Sequence, residues 1–139
     1  MIAGEIDHVG IVVRSIEEAR QRYEMLSGER VRGLTEVPAL GLRLAFVGGF
    51  ELLEPLNSDS PVGRFLLERG PGLHHAAFRV EDISTSIATL KARGVRFLDD
   101  VPRMGADKRL IAFLHPESTG ESLIELVQAD ATSPLSEVP

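Results

Sequence analysis

Short apolar runs alternate along the chain with stretches of helical periodicity. Residues 6–13 form an apolar run rich in β-branched side chains, which is typical of a buried strand. Ser15 then precedes Glu18 by three residues, as in a capping box, and apolar residues at helical spacing continue to Gly28. Three further strands are predicted over residues 29–37, 42–47 and 50–54. The first half of the chain is therefore predicted to be a βαβββ module.

The second half repeats this order. A strand over residues 73–80 leads to a helix that begins at the N-cap Asp82 and ends at Gly94. Three more strands are predicted over residues 95–98, 110–114 and 122–127. The two modules span residues 5–56 and 72–128, a linking helix runs over about 60–69, and the polar tail 129–139 is expected to be flexible.

Neither module could cover its own sheet edges, so the two are expected to share one sheet. The predicted fold class is α+β, with two βαβββ modules forming one curved mixed sheet around a metal cleft. We expect a single domain over residues 1–139. The small sheet also leads us to expect a homodimer.

The two modules are similar in sequence as well as in pattern. Residues 7–11 (DHVGI) align with residues 74–78 (HHAAF) at an offset of 67 residues. With seven additional residues in the second copy, residues 50–53 (FELL) align with residues 124–127 (IELV). Each copy thus carries one His and one Glu within strands that are otherwise apolar, where a carboxylate is costly unless it is paired or metal-bound. The repeat predicts a shared metal site with the ligands His8, Glu51, His75 and Glu125.

Three nearby polar residues are interpreted differently. His74 alternates to the opposite strand face from His75, so a structural role is expected. Glu54 is predicted to be a surface residue at the end of its strand. For His115, which precedes Pro116 in a hairpin, a turn role and a substrate contact remain equally open.

Composition narrows the possible functions. A net charge of −6 argues against nucleic-acid binding, which requires a basic face. The absence of Cys excludes disulfides, thiolate metal sites and cysteine nucleophiles. No apolar run approaches the roughly 20 residues of a membrane span, and no signal peptide is recognisable, so we expect no membrane contact and a cytoplasmic location.

Several stretches together resemble a known family. They are Glu51-Leu52-Leu53-Glu54-Pro55-Leu56, the doubled His74-His75, and the turn at His115-Pro116. With these motifs the chain resembles the methylmalonyl-CoA epimerases of the vicinal-oxygen-chelate superfamily, over about residues 5–128. Glyoxalase I, extradiol dioxygenases and fosfomycin-resistance proteins belong to the same superfamily.

The resemblance implies a divalent metal ion held by the four predicted ligands. Two imidazoles and two carboxylates suit Co, Ni, Mn, Zn or Mg, and the sequence does not choose among them. The implied reaction is epimerisation at the α-carbon of methylmalonyl-CoA or a related acyl-CoA through an enolate intermediate. Glu125 would act as base or acid besides binding the metal, and no residue is predicted to bind a further cofactor.

Two departures from the family pattern leave alternatives open. Some relatives carry a second catalytic carboxylate where this chain has Leu44, so the second acid or base is unassigned. The family also tends to carry Lys after the His-Pro turn, where this chain has Glu117. Arg103, Lys108 and Arg109 therefore either supply the positive charge for coenzyme A or form a solvated loop cluster. The alternative functions are a glyoxalase I-like isomerase, a thiol transferase, an Fe(II) dioxygenase using His8, His75 and Glu125, or a non-catalytic binding module of the same fold.

Overall fold

A computed structural model describes residues 4–129, so all but the first residue of the predicted flexible tail lies outside the described residues. Within that range the chain forms eight strands and three α-helices. In chain order they are β1 (Glu5–Val12), α1 (Ile16–Ser27), β2 (Arg32–Val37), β3 (Leu42–Val47), β4 (Phe50–Pro55), α2 (Pro61–Arg69), β5 (Gly72–Val80), α3 (Ile83–Ala92), β6 (Arg103–Met104), β7 (Leu110–Phe113) and β8 (Ile124–Gln128).

Side-chain caps fix where the helices begin. Ser15 Oγ accepts a hydrogen bond from the amide of Glu18 at 3.2 Å at the start of α1. At the start of α3 the side chain of Asp82 likewise accepts a hydrogen bond from the amide of Thr85 at 3.1 Å. Gly28 ends α1 in the left-handed conformation, with φ 74°, which glycine adopts without a steric penalty. These boundaries agree with the capping pattern of the sequence.

The strands hydrogen-bond in the order β2-β3-β4-β1-β5-β8-β7-β6 and make one mixed sheet. In each half the first strand pairs in parallel with the last one, β1 with β4 and β5 with β8. The remaining pairs within each half are antiparallel. The predicted fold class, two βαβββ modules that contribute to a mixed sheet, is confirmed.

The chain divides into two compact units. Residues 8–74 form one unit, in which α1 packs on the sheet through a core that includes Ile11, Ile16 and Leu52. The described residues 4–7 and 75–129 form the other, in which Ile83 and Ile87 of α3 reach a second core. Strands β1 and β5 therefore pass from one unit to the other at the two histidines of the repeat, His8 and His75.

No helix within residues 4–129 is long and apolar enough to span a membrane.

One predicted strand is wrong. Residues 95–98 contribute only a single bridge, between Phe97 and Leu114, and the strand that pairs beyond it is β6. The ladder is interrupted because the side chain of Asp99 accepts the amide hydrogen of Phe113 at 2.8 Å, in place of a backbone carbonyl. Pro102, which has no amide hydrogen, precedes the point where pairing resumes.

The second strand begins later than predicted. Residues 29–31 lie outside β2, which starts at Arg32. The amide of Val31 donates to the carboxylate of Glu24 at 2.8 Å, so it is bonded to helix α1 and not to a neighbouring strand.

Candidate metal centre

In the unit of residues 8–74, the parallel pairing of β1 with β4 places His8 and Glu51 on the same sheet face. Gly10 lies opposite Glu51, and His8 precedes Gly10 by two residues, so the His and Glu side chains are diagonal neighbours. His8 Nε2 and Glu51 Oε1 are 3.5 Å apart. Both residues are buried, with 4% and 8% of their surface exposed. The His8 ring also meets Phe46 edge-on, with 5.7 Å between centroids.

The other unit reproduces this arrangement with His75 and Glu125. Ala77 on β5 lies opposite Glu125 on β8, and His75 precedes Ala77 by two residues. Both His75 and Glu125 are buried, and the His75 ring meets Phe113 edge-on at 6.1 Å. The internal repeat of the sequence is therefore a repeat of geometry, a His and a Glu held diagonally across two parallel strands.

Three of the four predicted ligands form a group that could hold a metal ion. One ligand atom from each of His8, Glu51 and His75 lies within 4.8 Å of the other two. Two donors bound to one ion at about 2.1 Å are at most about 4.2 Å apart, which is of the same order. Two imidazoles and a carboxylate, all buried, suit a borderline divalent ion. Glu125 is not part of this group, although it occupies the register position in its unit that Glu51 occupies in the other.

The neighbouring polar residues have structural partners. The ring of His74 packs edge-on against Phe65 of α2 at 5.2 Å. In the hairpin, Nδ1 of His115 accepts a hydrogen bond from the amide of Glu117 at 3.1 Å and so caps a short 3-10 turn. This contact is the turn role that the sequence left open.

The prediction that Glu54 is a surface residue is wrong. Its side chain is only 17% exposed. One carboxylate oxygen accepts from the amide of Ile16, the first residue of α1, at 2.7 Å, and the other pairs with Arg43 at 3.3 Å. Because the amides at a helix N-terminus lack partners within the helix, this carboxylate fastens the start of α1 to β4.

A cluster of charged residues was missed by the sequence reasoning. Asp7 binds two arginines, Arg79 and Arg109, and Arg109 also binds Asp107. The side-chain hydrogen bond to Asp7 is the main cause that raises the pKa of Arg109 above its ordinary value. The signal in the sequence was an Asp next to an apolar strand run, with no indication of its distant partners. Arg109 is thus engaged by carboxylates, at a position that the sequence left open between a coenzyme A contact and a solvated loop cluster.

Leu44 is almost fully buried, with 2% of its surface exposed, and lies opposite Leu53 in the β3–β4 pair. An apolar side chain therefore occupies the position for which the resemblance implied a second carboxylate in some family members.

The fold and the candidate centre define a class of protein, namely a pair of βαβββ modules that each contain a buried His and a buried Glu. Of these four residues, His8, Glu51 and His75 form a group that could hold a metal ion. Residues 7–113 match the family model of the glyoxalase/bleomycin resistance protein/dioxygenase superfamily. The resemblance inferred from the motifs is thereby confirmed at the level of the superfamily.

Comparison with individual proteins shows which family within the superfamily the chain resembles. The chain is 36% identical to the mitochondrial methylmalonyl-CoA epimerase of Mus musculus, over 91% of this chain and 74% of the relative. It is also 36% identical to the ethylmalonyl-CoA/methylmalonyl-CoA epimerase of Cereibacter sphaeroides, over 90% of this chain and 98% of the relative. A solved structure of a Streptomyces coelicolor methylmalonyl-CoA epimerase variant, in complex with 2-nitronate-propionyl-CoA, matches with a TM-score of 0.82 and 34% identity, covering 94% of this chain and 100% of that one. The chain belongs to the methylmalonyl-CoA epimerase family of this superfamily.

Proposed function

We propose that the protein is a metal-dependent epimerase that inverts the α-carbon of methylmalonyl-CoA or a closely related acyl-CoA. The observation that carries the proposal is the buried group of His8, Glu51 and His75 in a chain that is similar to such epimerases over nearly its whole length. The solved complex of a relative with 2-nitronate-propionyl-CoA supports an acyl-CoA as substrate.

His8, Glu51 and His75 would hold the ion, and Glu125 would be the fourth ligand. A bound divalent ion would withdraw electron density from the thioester and so stabilise the negative charge that develops when the α-proton leaves. The ion could be Co, Ni, Mn, Zn or Mg, since the donor set accommodates all of them.

Glu125 would carry the proton transfer on one face of the substrate. Its carboxylate takes the proton from the α-carbon, the electron pair of the C–H bond becomes the enolate, and a proton returned to the other face gives the epimer. Nothing is oxidised or reduced, so no further cofactor is required. The group on the second face is unassigned, because Leu44 cannot exchange a proton.

The surroundings of His75 and Glu125 favour this chemistry. Ala77 follows His75 by two residues on the same face of β5 and lies opposite Glu125 of β8. It packs with Ile111 and Val127 in an apolar cluster. Such a face excludes water, and charge interactions are stronger where the local dielectric constant is low.

Solvent exchange at the α-carbon tests the proposal. Incubation of the metal-loaded protein with racemic methylmalonyl-CoA in deuterated water should give deuterium uptake that a chelator abolishes. Glu125→Gln should lose the uptake, whereas Glu81→Gln, which alters an exposed carboxylate of the same unit, should retain it. No metal-dependent uptake by the unaltered protein would contradict the substrate assignment, and faster turnover of methylglyoxal hemithioacetal would favour a glyoxalase I-like isomerase.

We further propose that the chain is a single folding domain, a homodimer and a cytoplasmic protein. A single cooperative unfolding transition would support one domain, because two independent units would unfold in two steps. Sedimentation equilibrium would give the oligomeric state, and cell fractionation would give the location.

A further inference from the structure

The carboxylate of Asp7 is bonded to two arginines that are distant in the sequence. It accepts hydrogen bonds from Nη1 and Nη2 of Arg109 at 2.9 and 2.7 Å, and from Nη1 of Arg79 at 3.0 Å. The Asp7 side chain is only 8% exposed, and those of the arginines are 17% and 15% exposed. This is a two-pronged guanidinium–carboxylate pair with an additional cation on the same oxygen.

The cluster is stiff because its arginines are themselves held. Arg109 Nε donates to Asp107 at 2.8 Å, so both sides of its guanidinium are bonded. Arg79 lies on β5 and also donates to the exposed Glu5 at 3.2 Å. Two-pronged charged hydrogen bonds fix geometry as well as adding energy, and partly buried pairs are screened little by salt. Asp7 is thereby tied to β5 and to the residue that precedes β7.

Asp7 also occupies a decisive place in the chain. It is the residue directly before His8, and it is the last residue of β1 that belongs to the unit of residues 75–129. Metal ligands must be held to within about 0.5 Å of their productive positions, which requires support from groups that do not touch the ion. A rigid contact on the adjacent residue restricts the backbone from which the His8 imidazole projects.

We propose that Asp7, held by Arg79 and Arg109, is a positioning residue that fixes β1 directly before the metal-binding His8. This inference rests on the proposed function in one respect, that His8 binds a divalent ion. The cluster would thus support the metal site without any of its residues binding the ion.

The test compares Asp7→Asn with the double variant Asp7→Asn/Arg109→Gln. Asp7→Asn alone leaves a half-buried Arg109 with a weaker partner and should lower both the stability of the metal-free protein and its Co²⁺ affinity. The double variant removes the guanidinium that has lost the Asp7 carboxylate, while Asp107 loses its bond to Arg109, so its thermal unfolding temperature should recover only in part. Its Co²⁺ affinity, measured by calorimetry, should stay about 10–100-fold below that of the unaltered protein, which is the range found when outer supports of metal ligands are removed. The visible absorption of bound Co²⁺ should change in both variants.

Glu5→Gln is the matched control, because Glu5 binds the same Arg79 but is 76% exposed. It should leave Co²⁺ affinity and the Co²⁺ spectrum unchanged. The inference is overturned if Asp7→Asn binds Co²⁺ as the unaltered protein does, or if affinity recovers together with stability in the double variant. If the unaltered protein binds no divalent ion, the proposed metal site itself fails, which is a distinguishable result.

Discussion

The two adjacent histidines of β5 offer a comparison within one strand. His75 belongs to the candidate metal group, whereas the ring of His74 packs against Phe65. Replacing either one by Ala removes a partly or fully buried imidazole from the same strand, so both variants lose packing. Only His75→Ala should remove the stabilisation that a metal ion provides. The measured quantity is the difference in unfolding temperature with and without metal, because this difference cancels the packing loss.

The size of that difference follows from ligand linkage. A metal ion at 100 times its dissociation constant stabilises the folded state by about 2.7 kcal/mol. For 139 residues the entropy of unfolding is about 0.29 kcal/mol/K, so the unaltered protein should unfold about 9 °C higher with metal. Loss of a direct ligand should reduce affinity by at least about 100-fold, the upper end of the range for outer supports. At the same metal concentration His75→Ala then retains about 0.4 kcal/mol, or about 1 °C.

Scanning calorimetry on chelator-treated protein, with Mn²⁺ or Co²⁺ added back, measures these shifts. His74→Ala should keep the full shift of about 9 °C, although its metal-free unfolding temperature is lower than that of the unaltered protein. A full shift in His75→Ala would refute the assignment of His75 as a ligand. A shift lost equally in both variants would refute the distinction between the two strand faces.

Three further changes test other parts of the structure. Glu54→Gln should lower the free energy of unfolding by about 1 kcal/mol in urea titrations, because it removes the charge that binds the first amide of α1. Glu24→Gln should make the loss of stability in acid less steep. The hydrogen bond from the amide of Val31 lowers the pKa of Glu24 from its ordinary value of 4.5. The carboxylate therefore stabilises the fold above that pH, and this stabilisation is lost as the pH falls through the lowered pKa. Gly63→Ala should cost about 2–3 kcal/mol in the same titrations, since its Cβ would lie 2.2 Å from the carbonyl oxygen of Asn57.

Each of the three changes has an outcome that would contradict it. A Glu54→Gln variant that loses metal affinity would place Glu54 in the metal site and not at a helix start. An acid transition that is as steep in Glu24→Gln as in the unaltered protein would show that other groups control it. A stable Gly63→Ala variant would mean that the loop before α2 can move away from the added methyl group.

The fold and the candidate centre could be predicted to a large extent because the sequence repeats itself. Strand and helix patterns recurred in the same order, and His8 and His75 fell at equivalent places. Strand alternation then separated His75 from His74 without any knowledge of tertiary contacts. The register adds that Glu51 and Glu125 stand diagonal to their histidines, which follows from parallel pairing and not from the alignment alone.

Side chains that replace backbone partners account for the errors. Asp99 accepts the amide of Phe113 and so ends the pairing expected for residues 95–98. Glu54 reaches the start of α1 although 38 residues separate it from Ile16. Neither contact can be predicted from the local sequence, because a carboxylate that binds a distant amide has the same local sequence pattern as one that faces water.

The Asp7 cluster shows how the two copies have diverged at one position. Asp7 aligns with His74, and each precedes a predicted metal-binding histidine. In one copy this position is bound by Arg79 and Arg109, whereas in the other it packs against the ring of Phe65. Both residues are thus anchored, but by different chemistry, and we assign a positioning role only to Asp7. We therefore expect His74→Ala to affect metal binding far less than Asp7→Asn, since an aromatic contact fixes orientation less strictly than three charged hydrogen bonds.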